Sequence, residues 1–277
     1  MSEEMLNIPA KSSPAADPKA AAKTFSRLGL GVFLILVVGS AAQMLAVHLA
    51  DTFFPGSTQD AWGYWLWIFV PLYLIGFPAG YLLMRPDPGR TPPRKSMRFS
   101  HLLMLLPVSI CMMYAGNMAG ILLNGLIQTL FRLPAVNPVE ALVSGTSLLP
   151  RILFVVLLGP FLEEWIFRKV LIDRMAPYGE KIAVVLSSLI FGLFHGNLSQ
   201  CFYAFALGLV FGYVYLRTGK LRYSFFLHAF INLIGGVVAP AILDGVPAEF
   251  LEGSVTDLEV LLSHLPAILG MTAYLSP

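Results

Sequence analysis

Long uncharged apolar runs alternate with short polar, basic segments along this chain. Neither the strict alternation of a half-buried strand nor the one-sided stripe of a surface helix describes the runs. Residues 28–50, 62–84 and 102–131 contain no Asp, Glu, Lys or Arg, and each is long enough for the ~20 apolar residues of a bilayer crossing. The second opens on Trp62, Tyr64, Trp65 and Trp67, the aromatic belt of a membrane interface. Residues 148–175 form a fourth apolar segment that carries charge. Residues 182–195, 202–216 and 223–242 follow. Residues 258–275 are a weaker eighth segment, interrupted by Glu259, His264 and Pro266. The pattern predicts an all-α fold, a polytopic membrane helical bundle of seven to eight transmembrane helices. Pro71, Pro78, Pro107 and Pro160 fall inside these spans, where neighbouring helices tolerate kinks.

The polar stretches divide the chain. Residues 1–26, rich in Ala, Pro, Ser and Lys, read as a disordered cytoplasmic tail. No small-residue cleavage site closes a short apolar run there, so the first span is expected to stay as an anchor. Residues 27–147 hold the N-terminal transmembrane helices and residues 148–242 a core richer in polar groups. Residues 243–277 are expected to form an outer loop and a last helix.

Composition agrees with the spans. Charged residues make up 12% and hydrophobic ones 57%, with mean hydropathy +0.74, against about 25% charged in a soluble domain. An ordinary soluble globule, a disordered chain and a disulfide scaffold are excluded. A net charge of +2 gives nucleic acid nothing to bind. Cys111 and Cys201 lie in apolar runs and read as small core hydrophobes rather than a disulfide. With the N-terminus placed in the cytoplasm, every Lys and Arg except Arg132 and Arg151 falls on the inner side. The outer loops carry Asp51, Asp60, Glu140, Asp244, Glu249, Glu252 and Asp257. An integral protein of a bacterial plasma membrane fits this pattern.

Ionisable groups inside a bilayer are costly and point to function. The fourth span contains Glu163, Glu164 and Arg168. Glu164 and Arg168 are i,i+4 and can pair on one face. Glu163, ~100° away around the helix, is left without a helical partner and suits a general base. Pro160 lacks an amide donor and frees a carbonyl one turn earlier. Taken alone, the three charges could equally be reaching for the inner headgroups. His195 ends the fifth span, equally far in sequence from Gly179 as Glu163 is. In an antiparallel hairpin both therefore lie ~24 Å from the turn, facing each other. His228 and Asn232, i,i+4 on the seventh span, can reach the same layer at ~20 Å. Gly208 and Gly212 read as a close-packing pair, and Asn197 and Gln200 as structural groups of an outer turn. His48, His101 and His264 have no evident partners.

In order, Glu163-Glu164 with Arg168, Phe191 with His195, and His228 with Asn232 resemble the motifs of the CAAX prenyl protease and bacteriocin-processing (CPBP or Abi) family of intramembrane proteases. The resemblance covers about residues 148–242. It implies an endopeptidase that hydrolyses membrane-bound peptides or proteins. Glu163 would activate water with help from His195. Glu164 and Arg168 would be the supporting pair, and His228 and Asn232 the oxyanion donors. Glu163, His195 and His228 could also hold a divalent metal such as zinc with one open position. His-Glu-x-x-His is absent, as are Gly-x-Ser-Gly and Gly-x-Gly-Asp. The substrate implied is a bacteriocin leader or a membrane protein. Two other readings are a non-enzymatic self-immunity or scaffold protein of the same fold, and a proton-relaying transporter. The transporter is disfavoured by the lack of an internal repeat in the spans.

Overall fold

The computed structural model describes residues 17–87, 89–132 and 147–243. The eighth segment, 258–275, and the acidic loop residues Glu140, Asp244, Glu249, Glu252 and Asp257 lie outside them. The described chain is helical, with seven segments at the expected places: α1 (Pro18–Phe53), α2 (Gly63–Met84), α3 (Phe99–Phe131), α4 (148–175), α5 (Glu180–Phe194), α6 (Leu198–Thr218) and α7 (221–243). No strand occurs among the described residues.

Five of the seven, α1, α2, α3, α6 and α7, are long and apolar enough to cross a membrane. α4 is different because its middle carries Glu163, Glu164 and Arg168, and its second half is packed inside the bundle. Ile166, Phe167, Leu171 and Ile172 are fully buried. α5 has 15 residues, hence a length of ~22 Å, short of the ~30 Å hydrocarbon layer. The expected count of seven to eight crossings is therefore approximate.

The outside of the bundle is apolar and the inside partly polar. Leu30, Phe33 and Met44 of α1, Leu74 and Leu82 of α2, and Met104, Leu122 and Leu130 of α3 are all exposed. Exposed apolar surface this continuous is lipid-facing surface.

α1 starts earlier than the composition suggests. Pro18–Ser26, read as part of the tail, is helical. Asp17 caps it, its Oδ1 accepting from the amides of Lys19 at 2.9 Å and Ala20 at 3.3 Å. Pro18 sits at the first turn, where its fixed φ suits a helix and its missing donor costs nothing. Cap, proline and alanines outweigh the low-complexity look of the segment.

α1 and α2 cross at glycines. A Cβ on Gly80 would lie 2.3 Å from the Gly31 carbonyl oxygen, and one on Gly76 2.8 Å from the Gly39 Cα. Such contacts leave no room for a side chain. We expect Gly80→Val to destabilise the bundle by about 1–3 kcal/mol, read as a lower unfolding temperature in detergent. An unchanged temperature would show that α1 and α2 are free to separate. Gly208 and Gly212 do pack closely, against Ser188 and Val184 of α5.

The connection between α2 and α3 straps the basic end of the bundle through Asp173 of α4. The Arg90 amide donates to the Asp173 carbonyl at 2.7 Å. The Asp173 carboxylate accepts from Thr91 Oγ1 at 2.8 Å, Lys169 Nζ at 2.6 Å and Tyr215 Oη at 2.7 Å. Further along, the Lys95 amide donates to the Thr218 carbonyl at 2.8 Å. α4, α6 and the strap are thereby locked beneath the polar layer.

Two apolar clusters complete the core. One joins α1, α2, α4 and α5 around Ile35, Phe77, Phe167 and Phe191. The other joins α3, α6 and α7 around Met113, Phe211, Leu227 and Ile231. A cavity lies between them.

Candidate active site

Four stretches of the helices that border this cavity are wound wider than an α-helix: Leu72–Gly76, Ile152–Leu158, Trp165–Ile172 and Ile234–Val238. The amide of Gly159 reaches the carbonyl of Phe154, five residues back, and Ala239 reaches Ile234 in the same way. The next amide after Gly159 in this register would be that of residue 160, aimed at Val155. Residue 160 is a proline, so the Val155 carbonyl is left free. Asn232 Nδ2 takes it at 2.9 Å. The carbonyl expected to be freed by Pro160 is thus the group that ties α7 to α4.

The Glu164–Arg168 pair forms as expected, Arg168 Nε donating to Glu164 Oε2 at 3.2 Å with both side chains buried. Arg168 Nη1 donates to Ser187 Oγ of α5 at 3.3 Å. Its guanidinium lies 4.9 Å from the Phe191 ring centre and 5.8 Å from that of Phe211. Aromatic faces stabilise a cation where water is absent.

His228 stands between the two glutamates. Its Nδ1 is 3.1 Å from Glu164 Oε1, and its Nε2 is 3.6 Å from Glu163 Oε2. The Phe211 ring stacks on the imidazole at 5.2 Å and 24°, and Phe191 meets it edge-on at 5.5 Å. Glu163 was read as unpartnered and facing His195. It does project into the cavity, and the ion-pair partner it meets there is His228. The two glutamates, diverging around α4, reach opposite edges of one ring. Glu164 is 1% exposed and Glu163 is 22% exposed, so only the second is open to a reactant.

His195 lies just past the last turn of α5. Gly196, at φ 69°, takes the left-handed conformation that ends the helix. His195 Nδ1 is 2.9 Å from the Phe191 carbonyl. A carbonyl only accepts, so Nδ1 carries a hydrogen; in the neutral ring Nε2 then keeps its lone pair.

Glu163, His195, His228 and Asn232 line one cavity of about 340 Å³. Glu164 and Arg168 lie behind it. Phe69, Leu72, Phe154, Leu207 and Ile231 supply apolar wall. Asn117, Gln200 and Tyr203 also line it; the sequence pattern assigns no role to Asn117 or Tyr203 and makes Gln200 a structural group. The short α5 explains Gln200: its turn does not reach the far interface, so the polar residues after it stay at membrane depth and must be enclosed by protein. The i,i+3 spacing of Gln200 and Tyr203 was the available signal. Tyr73 of α2 and Glu163 both border the space above Gly159, whose Cβ would meet the Tyr73 hydroxyl at 3.3 Å and Glu163 Oε1 at 3.9 Å.

His195 has the ring orientation of a metal ligand, Nδ1 donating to a fixed acceptor and Nε2 unengaged; His228 differs, a glutamate facing each of its ring nitrogens. However, among the described residues no three His, Cys, Asp or Glu side chains converge as a metal site. Glu163, His195 and His228 thus do not come together as three ligands here. Cys111 and Cys201 are free thiols.

Residues 145–234 match the family model described as type II CAAX prenyl endopeptidase Rce1-like. All the motif residues named above fall inside that range. The chain is 30% identical over 113 residues to the "Putative membrane peptidase YdiL" of Bacillus subtilis (strain 168), covering 39% of this chain and 43% of that one. It is 35% identical over 88 residues to the "Membrane-embedded CAAX protease MroQ" of Staphylococcus aureus (strain USA300), covering 29% and 36%. The chain thus spans less than half the length of these curated relatives. No solved structure gives a significant match.

Proposed function

From the Rce1-like match over residues 145–234, we propose that this integral membrane protein is an intramembrane endopeptidase acting on membrane-bound peptides or proteins. The observation that carries the reading is Glu163: a carboxylate open to the cavity and set against His228, while its neighbour Glu164 is consumed by Arg168. Glu163 accepts a proton from water as the water oxygen attacks the peptide carbonyl carbon. The same proton then passes to the leaving amine as the C–N bond breaks. His195 Nε2, with its lone pair free, accepts the second hydrogen of that water and orients it. The oxyanion takes hydrogen bonds from the Asn232 N–H not used by Val155 and from His228 Nε2, whose ring must then carry a hydrogen on both nitrogens because Nδ1 already donates to Glu164. Both are held before substrate arrives, the condition under which such donors lower a barrier most.

The Lys and Arg distribution supports an N-terminus in the cytoplasm of a bacterial plasma membrane. The substrate class is a peptide that reaches the cavity from the lipid, such as a bacteriocin leader or a membrane-protein segment.

The test uses purified protein in lipid vesicles with a library of membrane-anchored peptides, cut sites being read by mass spectrometry. We expect cleavage by the native protein and a loss of at least about 100-fold in His195→Ala. No cleavage by the native protein, or full activity in the variant, would overturn the reading. A non-enzymatic immunity or scaffold role predicts the first of these outcomes.

A further inference from the structure

The wall of the cavity formed by α3 and α6 carries polar groups that the hydrolytic step does not use. Asn117 is 2% exposed, and its Oδ1 has no hydrogen-bond partner. A buried carbonyl oxygen left unpaired opposes folding, and native proteins keep few of them. Asn117 borders the cavity with Oδ1 covered, so its amide has to turn over, exchanging O and N, to present that acceptor to a ligand placed there.

Its neighbour Gly116 explains where it lies. A Cβ on Gly116 would be 2.3 Å from the Tyr203 Cα and 2.6 Å from the Tyr203 amide nitrogen. The absence of a side chain lets α3 press against α6 at Tyr203, which puts Asn117 and Tyr203 on the same wall.

Tyr203 is oriented by a chain of bonds whose directions are determined. The Gln200 amide donates to Asn197 Oδ1 at 2.8 Å. A backbone amide only donates, so the other side-chain atom of Asn197 is its nitrogen. Asn197 Nδ2 donates to the His195 carbonyl at 3.0 Å and to Gln200 Oε1. Gln200 therefore offers its nitrogen to the Tyr203 hydroxyl oxygen, at 2.8 Å. That oxygen is already accepting, so the hydroxyl hydrogen is free to donate into the cavity. Tyr203 is a donor and Asn117 Oδ1 an acceptor, on a wall shared with Met113, Leu207 and Ile231.

We propose that Asn117 and Tyr203 bind the main chain of the substrate, Asn117 Oδ1 accepting a peptide N–H and Tyr203 donating to a peptide carbonyl. This rests on the endopeptidase reading and deepens it. A site that grips amides rather than side chains accepts varied apolar sequences and holds them extended. A helical peptide has no main-chain N–H or C=O to offer in mid-helix, so binding here also selects locally unwound segments. The same relay links this wall to the turn that carries His195, so a peptide held by Tyr203 lies beside the water-activating groups.

The probe is the library peptide that the native protein cuts fastest, in the same vesicles. Tyr203→Phe removes only a hydroxyl, and Asn117→Leu replaces an unpaired amide by an apolar group of similar size. Each should lower kcat/KM by about tenfold, the equivalent of one neutral hydrogen bond, mainly through KM. Unfolding temperature should hold or rise in Asn117→Leu, because the unpaired carbonyl is gone. A structural Asn117 would instead lower stability and activity together. Replacing single amides of the probe by esters removes one N–H at a time. At one position the ester should cost the native protein about tenfold and Asn117→Leu almost nothing. Native cleavage with no loss in either variant, or equal ester effects in both proteins, would overturn this proposal alone. Absence of native cleavage would overturn the endopeptidase reading beneath it.

Discussion

Glu163→Gln is expected to abolish peptide hydrolysis while leaving the fold intact. The change keeps size and hydrogen-bonding reach and removes only the ability to take a proton. Glu163 is 22% exposed and makes no buried ion pair with Arg168, so its loss strands no charge. General-base groups contribute about 10²–10⁴ in rate, and no other free carboxylate lines the cavity among the described residues. The measurement is cleavage of the fastest library peptide by vesicle-embedded protein, with unfolding temperature as control. The variant should also still bind that peptide, since the Asn117–Tyr203 wall is untouched. A rate within tenfold of native would remove Glu163 from the reaction.

Glu164→Gln should act in the opposite way, on the fold first. Glu164 Oε2 holds the buried Arg168, and Oε1 holds His228 Nδ1. Neutralising it leaves a guanidinium at 0% exposure with Ser187, two aromatic faces and no anion on it. Breaking one side of a buried pair costs about 3–5 kcal/mol. Removing both charges, as in Glu164→Leu with Arg168→Met, should recover most of that stability, because a buried pair often breaks even against apolar packing. Activity should not return, since His228 has lost the carboxylate that sets its ring. The measurement is unfolding temperature and cleavage for the native protein, Glu164→Gln and the double variant. A single Glu164→Gln variant of native stability would refute the arrangement.

Much of the site was legible because helix geometry is strict. The i,i+4 spacing put Glu164 on Arg168, and equal distances from Gly179 put Glu163 and His195 at one depth. Pro160 announced a free carbonyl, though not that Asn232 would take it. Other features depended on contacts between helices that no spacing within one helix contains. Which edge of His228 meets which glutamate follows from how α7 rotates against α4. Asn117 stood in an unremarkable apolar run, and only the closeness of α3 to Tyr203 at Gly116 brought it to the cavity. The tail boundary was misread for a local reason, since a cap and a proline at positions 17 and 18 outweigh composition.

By itself, then, the sequence determined the all-helical membrane bundle and the pairing of Glu164 with Arg168. Those follow from hydrophobic run length and from the 3.6-residue turn, both properties of a single segment. Tertiary structure decided that His228 lies between both glutamates, that α5 stops short so Gln200 and Tyr203 stay inside, and that Asn117 faces the cavity. These depend on the rotation and closest approach of packed helices, which long-range side-chain fit selects and local spacing does not encode.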